Sequence, residues 1–437
     1  MSRPQSRYRW FVVFVFFCFV LLHQADKLLI GPLTTPIMET FGINEAQMGL
    51  VSSLAVVVAA VLYPVWGYLY DRYARAKLLA LASFIWGSTT WLNALAPNYP
   101  TFLATRASTG IDDSSYPGLY SLLSDYFGPK MRGKVYGLIE IAQPMGFMLG
   151  TILATMLGTA LGWRNVFFIT GSAGILVAVL IFFGVREPKR GQSEPEMTGA
   201  AQIAAHHIDK KVALGLLKKP SYLLLAAQGF FGVFPWQVLT FWFFRYLEKE
   251  RGYTGNEAML TMIVAILALS AGYFIGGTVG DWAFRRTPRG RVLTSMVGVL
   301  AGAVFLAVAL SVPAADKGLF LLPLALTSVT MSIAAPNVVA TIHDVTEPEV
   351  RGTAQALTSF SENIGSAVAP WLAGVIAVQY SLHVAILAIC VTTWLACALL
   401  FGVTALWVPR DVARLRQTMR ARAQEELGQE GAVEPSP

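Results

Sequence analysis

Long apolar runs separated by short polar stretches recur along the whole chain. Each run approaches the ~20 residues that an α-helix needs to cross ~30 Å of hydrocarbon. We number the runs as spans 1 to 12, and the pattern predicts an all-α membrane protein with twelve transmembrane helices. The predicted spans cover residues 10–33, 46–69, 78–96, 100–126, 134–160, 163–185, 220–245, 257–280, 291–312, 318–343, 352–379 and 383–408.

The composition supports the same fold class. Of the 437 residues, 55% are hydrophobic and only 14% are charged, and the mean hydropathy is +0.55. A soluble protein of this length would be less apolar. Span 1 is too long for the apolar region of a cleavable signal peptide and lacks a small-residue cleavage site, so we expect it to remain as a transmembrane helix. The chain is predicted to be a multi-pass protein of the plasma membrane, or of the inner membrane in a bacterium.

Positive charges lie mainly on one side of the predicted topology. Of the 33 Lys and Arg residues, 26 fall in the N-terminus, in every second loop and in the C-terminus. Because Lys and Arg resist translocation, both termini are predicted to be cytoplasmic. This bias and anionic lipid headgroups explain the net charge of +7, so no nucleic-acid partner is predicted. Cys18, Cys390 and Cys397 lie within spans, and the sequence shows no disulfide or metal framework.

Span 4 carries charged residues inside an apolar run. The segment RASTGIDDSSYP contains Arg106, Asp112 and Asp113. On a continuous helix Asp113 returns to the face of Arg106 after seven residues, whereas Asp112 points elsewhere. A charge near the bilayer centre costs roughly 2.5 to 3.5 kcal/mol even on the mildest scale, so such residues usually face a watery substrate or proton path. An ion pair that only fixes helix packing is the alternative.

Span 1 has a polar interruption more than halfway along its length. His23, Asp26 and Lys27 lie on neighbouring turns of the predicted helix. His23 could relay protons one turn from Asp26, or it could be an ordinary packing residue. Lys27 could extend to the headgroups or neutralise Asp26.

Two motifs occur twice, each on the predicted cytoplasmic side. The spacing Gly-x-x-x-Asp at Gly67 recurs at Gly277, and the loop DYFGPKMRGK aligns with DVTEPEVRGT, so that Arg132 matches Arg351 at an offset of 219 residues. A repeat in the same orientation predicts two related six-helix bundles. The predicted domains are a first bundle at 1–185, a cytoplasmic linker with a surface helix at 186–219, a second bundle at 220–408, and a cytoplasmic tail at 409–437.

The segment GYLYDRYARAK resembles the signature G-x-L-x-D-R-x-G-R-K of the major facilitator superfamily, with Ala74 where a Gly is usual. The resemblance covers nearly the whole chain and implies two bundles that rock about a site near the middle of the membrane. A short turn permitted by Gly would set an Asp where it meets the positive end of a helix, which would form a conformational latch. An ordinary positively charged loop would explain the arginines but not the repeated Gly and Asp. The predicted latch residues are Gly67, Asp71, Arg72, Arg75, Arg132, Gly277, Asp281 and Arg351.

Within that superfamily, the chain is similar to the spinster-like subgroup. The pair Asp26 and Lys27, the span-4 segment with Arg106 and Asp113, and VREPKRG after span 6 carry the resemblance, while Asp112 replaces a Gly. The resemblance implies a secondary transporter for lysolipids or other amphipathic molecules, coupled to protons. A proton-coupled organic-anion symporter of the same superfamily is the alternative, because such proteins share a similar span-1 pair and a span-4 carboxylate.

The charged residues of spans 1 and 4 suggest how coupling would work. We expect Asp26 and Asp113 to compete for Arg106, so that access to one side of the membrane changes their protonation. At the offset of 219 the second half has Ala325, Met331 and Ser332 in place of the span-4 charges, so coupling belongs to the first half. The predicted substrate-binding residues are His23, Lys27, Asp112, Glu140, Gln143, Gln228, Trp236, Gln237, Asn337 and Glu362.

The sequence predicts neither enzyme activity nor a cofactor. It lacks the G-x-x-x-x-G-K-[ST] loop of ATP-driven machinery, so transport would draw on a gradient or run as facilitated diffusion. An intramembrane aspartyl protease would need a Gly-x-Gly-Asp signature, which is absent, and Gly280 with Asp281 lies at the end of a span. A sensor that binds without transporting stays open. The expected partners are a small-molecule substrate, protons and membrane lipids, with the chain acting as a monomer and binding no metal.

Overall fold

The structure, a computed structural model, describes residues 3–113, 115, 117–127, 129–189, 216, 219–347 and 351–430. The regular elements in these ranges are α-helices, which confirms the predicted all-α class. The helices are α1 (Arg3–Phe41), α2 (Glu45–Arg72), α3 (Arg75–Leu95), α4 (Tyr99–Ser108), α5 (Gly110–Asp113), α6 (Pro117–Tyr126), α7 (Pro129–Leu161), α8 (Trp163–Gly184), α9 (Pro220–Lys249), α10 (Gly255–Arg286), α11 (Gly290–Ser311), α12 (Lys317–Ser332), α13 (Ala334–Val345), α14 (Arg351–Gln379) and α15 (Leu382–Glu430).

Among the described residues, ten helical stretches are long and apolar enough to cross a membrane, with α12 and α13 together forming one of them. The predicted spans 4 and 11 are not among the ten. Span 4 is divided into α4, α5 and α6, and α14 carries polar residues that include Gln355 and Glu362. These polar groups lower the apolarity of the two segments, and they also make both segments candidates for a functional site.

Two helices begin with the same local structure. Asn44 caps α2 by accepting a hydrogen bond from the backbone of Gln47, whose side chain bonds back to the cap residue. Thr254 and Glu257 form the same reciprocal capping box at the start of α10. Such a box satisfies backbone donors that a helix N-terminus otherwise leaves unpaired. Asn44 and Thr254 are separated by the same number of residues as Gly67 and Gly277, so the internal repeat extends to helix starts.

Helix packing brings distant segments of the chain together. We call residues 3–189 the first part and residues 219–430 the second part. In the first part α1 packs along α7 and α3 along α8, while in the second part α9 packs against α14 and α15. The two parts meet through α2 with α14, α7 with α10, and α1 with α9. One hydrophobic core lies wholly in the first part, and another has members from both parts.

The linker and the tail differ in how far the structure describes them. Most of the predicted linker, including its surface helix, lies outside the described residues. The predicted boundary before the tail at 409 is not a structural break, because α15 continues through Pro409 as far as Glu430. A proline lacks one backbone donor and kinks a helix without having to end it.

Candidate functional site

The predicted span 4 is interrupted at its centre. The backbone of Thr109 donates to Arg106, three residues earlier, and Ser115 donates in the same way to Asp112. These tighter turns separate α4, α5 and α6 and change the angular spacing that a continuous helix would give. Asp112 and Asp113 therefore line the same cavity, and the expectation that Asp112 points elsewhere was wrong. That expectation assumed an unbroken helix from Arg106 to Asp113.

Asp26 lies on α1 and is almost fully buried. Its Oδ1 accepts a hydrogen bond of 3.0 Å from Thr170 on α8, and its Oδ2 accepts one of 3.5 Å from Thr90 on α3. The Nη1 of Arg106 lies 4.0 Å from the same Oδ2, and its guanidinium is 5.9 Å from the ring centre of Phe167. Asp26 and Arg106 thus face each other at the distance limit of an ion pair.

His23, Lys27 and the two aspartates of α5 form a second charged group. His23 Nε2 lies 2.7 Å from Asp112 Oδ2 and 3.4 Å from Asp113 Oδ1. Lys27 Nζ lies 2.9 Å from Asp113 Oδ1, so Asp113 is paired with Lys27. The ring of His23 also stacks on Phe19 and meets Trp86 edge to face. His23 is therefore both a packing residue and a partner of the α5 carboxylates.

The ligand atoms of His23, Asp112 and Asp113 lie within 4.8 Å of one another, which is close enough to surround a metal ion. Lys27 already supplies a positive charge 2.9 Å from Asp113. A divalent cation would have to compete with this ammonium group, and the donor set would be one imidazole with two carboxylates. The geometry thus permits a metal ion here, although the ammonium group of Lys27 already supplies a positive charge at this position.

These residues line a cavity of about 250 Å³ between the two parts of the chain. Its charged wall comes from α1, α4 and α5, while Gln143 and Phe147 of α7 form another side. Trp236 and Gln237 of α9 close it from the second part. We call this space the charged cavity. The predicted residues that line it are His23, Asp26, Lys27, Arg106, Asp112, Asp113, Gln143, Trp236 and Gln237.

A second cavity, of about 340 Å³, lies mainly in the second part of the chain. Gln228 and Glu362 line it, and Gln143 and Trp236 are shared with the charged cavity. We call it the Glu362 cavity. A narrow apolar space of about 60 Å³ also has Trp236 in its wall, together with residues such as Phe243 and Met262. Three adjoining spaces therefore meet at Trp236.

Two predicted substrate residues do not line these cavities. Glu140 is exposed, and its carboxylate accepts a short hydrogen bond from the Tyr120 hydroxyl. Asn337 is buried and donates from its amide to the backbone oxygens of Gly276 and Ile333. Glu140 lies about one turn before Gln143 on α7 and faces α6 instead. Asn337 joins α13 to α10.

The predicted latch divides into two arginine-centred networks. The Arg75 side chain is 4% exposed and lies 2.6 Å from Asp125 and 2.8 Å from Glu187. In the second part Arg291 lies 2.6 Å from Asp281 and also pairs with Asp344. Asp125 and Asp344 are matched by the offset of 219. The sequence indicated this aspartate pair, but it did not indicate Arg291, which is outside the repeated motif.

The glycines of the latch do not form turns as expected. Gly67 and Gly277 lie inside α2 and α10, and the first of these helices ends only at Arg72. A helical residue needs no special backbone freedom. A Cβ at Gly67 would meet no described atom within 4 Å, and one at Gly277 would meet Pro336 at 4.0 Å, so neither a turn nor close packing requires these two glycines. The exposed Arg72 lies with its guanidinium 4.6 Å from the ring centre of Tyr68. The side chains of Asp71, Arg132 and Arg351 lie outside the described residues.

Charged residues that the sequence did not single out join the two parts at one face. This face contains the end of α1, the start of α2 and the end of α9. Arg245 of α9 lies 2.8 Å from Glu45 and donates to Thr35, while Glu248 accepts from Thr35 and Lys249 pairs with Glu39. We call Thr35, Glu39, Glu45, Arg245, Glu248 and Lys249 the closed-face network. The charged members of the network lie near helix ends, and nothing in the sequence indicates which of these charges pair with one another.

Comparison with known proteins agrees with this arrangement of helices. A family model described as Major Facilitator Superfamily matches residues 15–326 and 290–426. The chain belongs to the major facilitator superfamily. Its homologues in this superfamily are transporters, so the chain is a multi-pass membrane transporter and is not an enzyme.

The similarity to the spinster-like subgroup is also confirmed. The chain is 29% identical over 398 residues to Protein spinster of Drosophila melanogaster, and the alignment covers 86% of this chain and 64% of that protein. The chain thus spans less than two thirds of the fly protein. It is 24% identical over 402 residues to the sphingosine-1-phosphate transporter SPNS2 of Xenopus tropicalis, covering 86% and 76%.

A solved structure shows the same fold. It is the crystal structure of a bacterial homolog to the human lysosomal transporter Spinster, in an inward-facing and unoccupied conformation. The two structures superpose with a TM-score of 0.78 at 18% sequence identity, covering 95% of this chain and 99% of that chain.

Proposed function

We propose that this protein is a secondary active transporter that moves a small amphipathic molecule by alternating access and couples this movement to protons. The observation that carries the proposal is the charged cavity, in which Asp26 and Arg106 of the first part face Trp236 of the second. A buried cavity that joins charged groups to apolar walls suits a substrate with both characters. SPNS2, a relative, is a sphingosine-1-phosphate transporter, and this supports an amphipathic substrate class.

Coupling is proposed to run through two carboxylate–cation pairs. Asp26 faces Arg106 across 4.0 Å, and Asp113 faces Lys27 across 2.9 Å. Protonation of either carboxylate removes its charge and frees the facing cation to bind substrate or to move with its helix. This proposal revises the expected competition for Arg106, because each carboxylate has a cation of its own. His23 links the second pair to Asp112.

Alternating access is proposed to be a rocking motion of two six-helix bundles, at residues 1–185 and 220–408, with twelve crossings in total. Both termini would be cytoplasmic, in line with the distribution of Lys and Arg. The closed-face network would then seal the cavity on the non-cytoplasmic side. Opening that face requires the bonds of Arg245 to Glu45 and Thr35 to separate.

Transport by purified protein in sealed proteoliposomes tests this function. Counterflow should be measured for lysolipids, organic anions and sugars at two pH values. Asp26→Asn and Arg106→Ala are expected to lose most accumulation driven by a pH gradient, because each removes one member of a facing pair. Asp316→Asn is the matched control, since this exposed carboxylate lies in a loop. Normal proton-coupled uptake in both cavity variants would contradict the coupling mechanism.

One observation supports the organic-anion alternative. The Nε and Nη1 atoms of Arg106 are buried, and no described residue accepts a hydrogen bond from them. A substrate carboxylate could accept a hydrogen bond from one of them, because a guanidinium forms strong charge-assisted hydrogen bonds with carboxylates. Counterflow of simple carboxylates without counterflow of lysolipids would favour this symporter. Specific binding without any flux would favour a sensor.

A further inference from the structure

Glu362 lies on α14 and carries a carboxylate that the proton-coupling mechanism does not use. Its side chain is half-buried and lines the Glu362 cavity. It makes no hydrogen bond or ion pair with any residue that the structure describes. The described residues that line this cavity include no Lys, Arg or His. A half-buried carboxylate on a helix that packs against the membrane-spanning α2 and α9, without a cation beside it, is costly, so its presence calls for a function.

A second acceptor in the same cavity is also unsatisfied. The Oε1 atom of Gln355, two turns before Glu362 on α14, is buried and accepts no hydrogen bond from a described residue. Two acceptors without a donor suit a ligand that brings positive charge or several N–H groups. The expectation from chemistry is a cation, because a carboxylate pairs more strongly with a charged donor than with a neutral one.

The remaining walls indicate which kind of cation would fit. Trp236, Tyr273 and Trp394 line the cavity with aromatic rings, whose faces attract ammonium groups. Most other lining residues are apolar, such as Leu269 and Val338. A calcium ion is usually held by several carboxylates, whereas Glu362 is the one carboxylate among the described residues that line this cavity. An organic ammonium group with an apolar substituent satisfies both the carboxylate and the rings.

The internal repeat connects this position to the charged cavity. The offset of 219 residues that relates Arg132 to Arg351 also relates Gln143 on α7 to Glu362 on α14. Gln143 and Trp236 line both cavities. A molecule bound at Glu362 would therefore adjoin the coupling residues. At this repeated position the first part of the chain has a neutral amide, Gln143, and the second part has a carboxylate, Glu362. The two parts therefore differ in charge where their cavities adjoin.

We infer that Glu362 binds the positively charged ammonium group of the substrate, with the rings of Trp236, Tyr273 and Trp394 around it. This inference rests on the proposed transport function and adds a substrate class to it. The carboxylate supplies the charge, and the aromatic walls select an alkylated ammonium over a hydrated metal ion.

Binding to protein in lipid nanodiscs tests this site without requiring transport. The probes are benzyltrimethylammonium and its uncharged carbon isostere neopentylbenzene, with empty nanodiscs correcting for partitioning into lipid. Wild-type protein is expected to prefer the cation. Glu362→Gln is expected to weaken cation binding by about tenfold and to leave binding of the neutral isostere within about twofold. Glu362→Asp keeps the charge and should weaken cation binding less. Glu257→Gln, at the exposed start of α10, is the matched control and should change neither.

Equal affinity of wild-type protein for the two probes would overturn the inference, as would unchanged cation binding in a folded Glu362→Gln variant. Monodisperse elution and an unchanged melting temperature establish that the variant is folded. The result is independent of the coupling test: loss of proton coupling in Asp26→Asn with intact cation binding supports both proposals. Normal coupling in Asp26→Asn with Glu362-dependent cation binding contradicts only the proposed coupling mechanism.

Discussion

Lys27 and Asp113 bring opposite charges to within 2.9 Å in a segment of otherwise apolar sequence. Their side chains are 37% and 23% exposed, so water in the cavity screens part of their attraction. Removal of one member takes this ion pair away from the other, which stays half-buried, and such a loss usually costs more than the pair contributes. The loss of stability is therefore expected to be largest when only one member of the pair is substituted.

A double-mutant cycle in detergent measures this coupling. Lys27→Met and Asp113→Asn are each expected to lower the melting temperature by about 2–4 °C. For a folding unit of about 150–250 residues, this shift corresponds to about 1 kcal/mol in the free energy of unfolding. The double variant should lose less than the sum, because neither charge of this ion pair remains. The same cycle at Lys317 and Glu257, an ion pair at 39% and 43% exposure, provides the control and should be close to additive. Additive losses at Lys27 and Asp113 would contradict a coupled pair.

The charged residues at this site could be predicted from the sequence, but the residues that form hydrogen bonds with them could not. An aspartate or arginine in an apolar run is visible in one sequence, because lipid makes it costly. The hydrogen-bond donors of Asp26 are Thr90 and Thr170, which come from α3 and α8 and look like ordinary helix residues in their own segments. Only helix packing brings them to Asp26.

At the scale of elements, the interruption of span 4 determines which side chains reach the cavity. Gly110 begins α5 directly against α2, where a Cβ atom at this position would lie 2.0 Å from the backbone oxygen of Ala55. The close approach is possible because glycine has no side chain. The sequence showed the glycine and the charges, but a periodicity argument assumes an unbroken helix. It therefore misplaced Asp112, which the tighter turn rotates towards His23.

Gly110→Ala tests the role of this close approach. The added methyl group must push α5 away from the α2 backbone, because a backbone oxygen cannot rotate aside as a side chain can. Overpacking of this kind costs about 1–3 kcal/mol, so we expect a lower melting temperature and reduced pH-driven uptake. Gly137→Ala in α7 is the control, since a Cβ there would meet no described atom within 4 Å. It should be neutral or stabilising by up to about 1 kcal/mol. Unchanged stability and uptake in Gly110→Ala would show that α5 tolerates displacement.

At the scale of the whole molecule, the repeat predicted from sequence reappears in capping boxes, in the Asp125 and Asp344 pairs, and in interrupted helices in both parts. Repeated loops and long apolar runs leave a signal in a single chain, so the fold class and the superfamily could be predicted. The contacts between the two parts could not be predicted, because no pattern in a single sequence indicates which side chains of one part meet those of the other. Arg245 and Glu45 are 200 residues apart in the sequence and lie 2.8 Å apart in the structure.

Charge reversal at Arg245 is expected to open the closed face. Arg245→Glu replaces an attraction of 2.8 Å to Glu45 with a repulsion, and it also removes the hydrogen bond to Thr35. A cysteine introduced by Ser52→Cys on the wall of the charged cavity reports on access, in a background without the three native cysteines. Labelling with a membrane-impermeant thiol reagent should be slow from the face of the network in the parent protein. It should become several-fold faster in Arg245→Glu, because the open conformation gains population.

The compensating swap separates this effect from general damage. Arg245→Glu combined with Glu45→Arg restores opposite charges across the same gap, so protection of the cavity cysteine should return in large part. Lys317→Glu provides the charge control, because Lys317 pairs with Glu257 inside the second part and does not bridge the two parts. Labelling that stays slow in Arg245→Glu would contradict a sealing role for the network. Labelling that rises equally in Lys317→Glu would assign the effect to surface charge, and a gate formed by direct pairing would then have to be rejected.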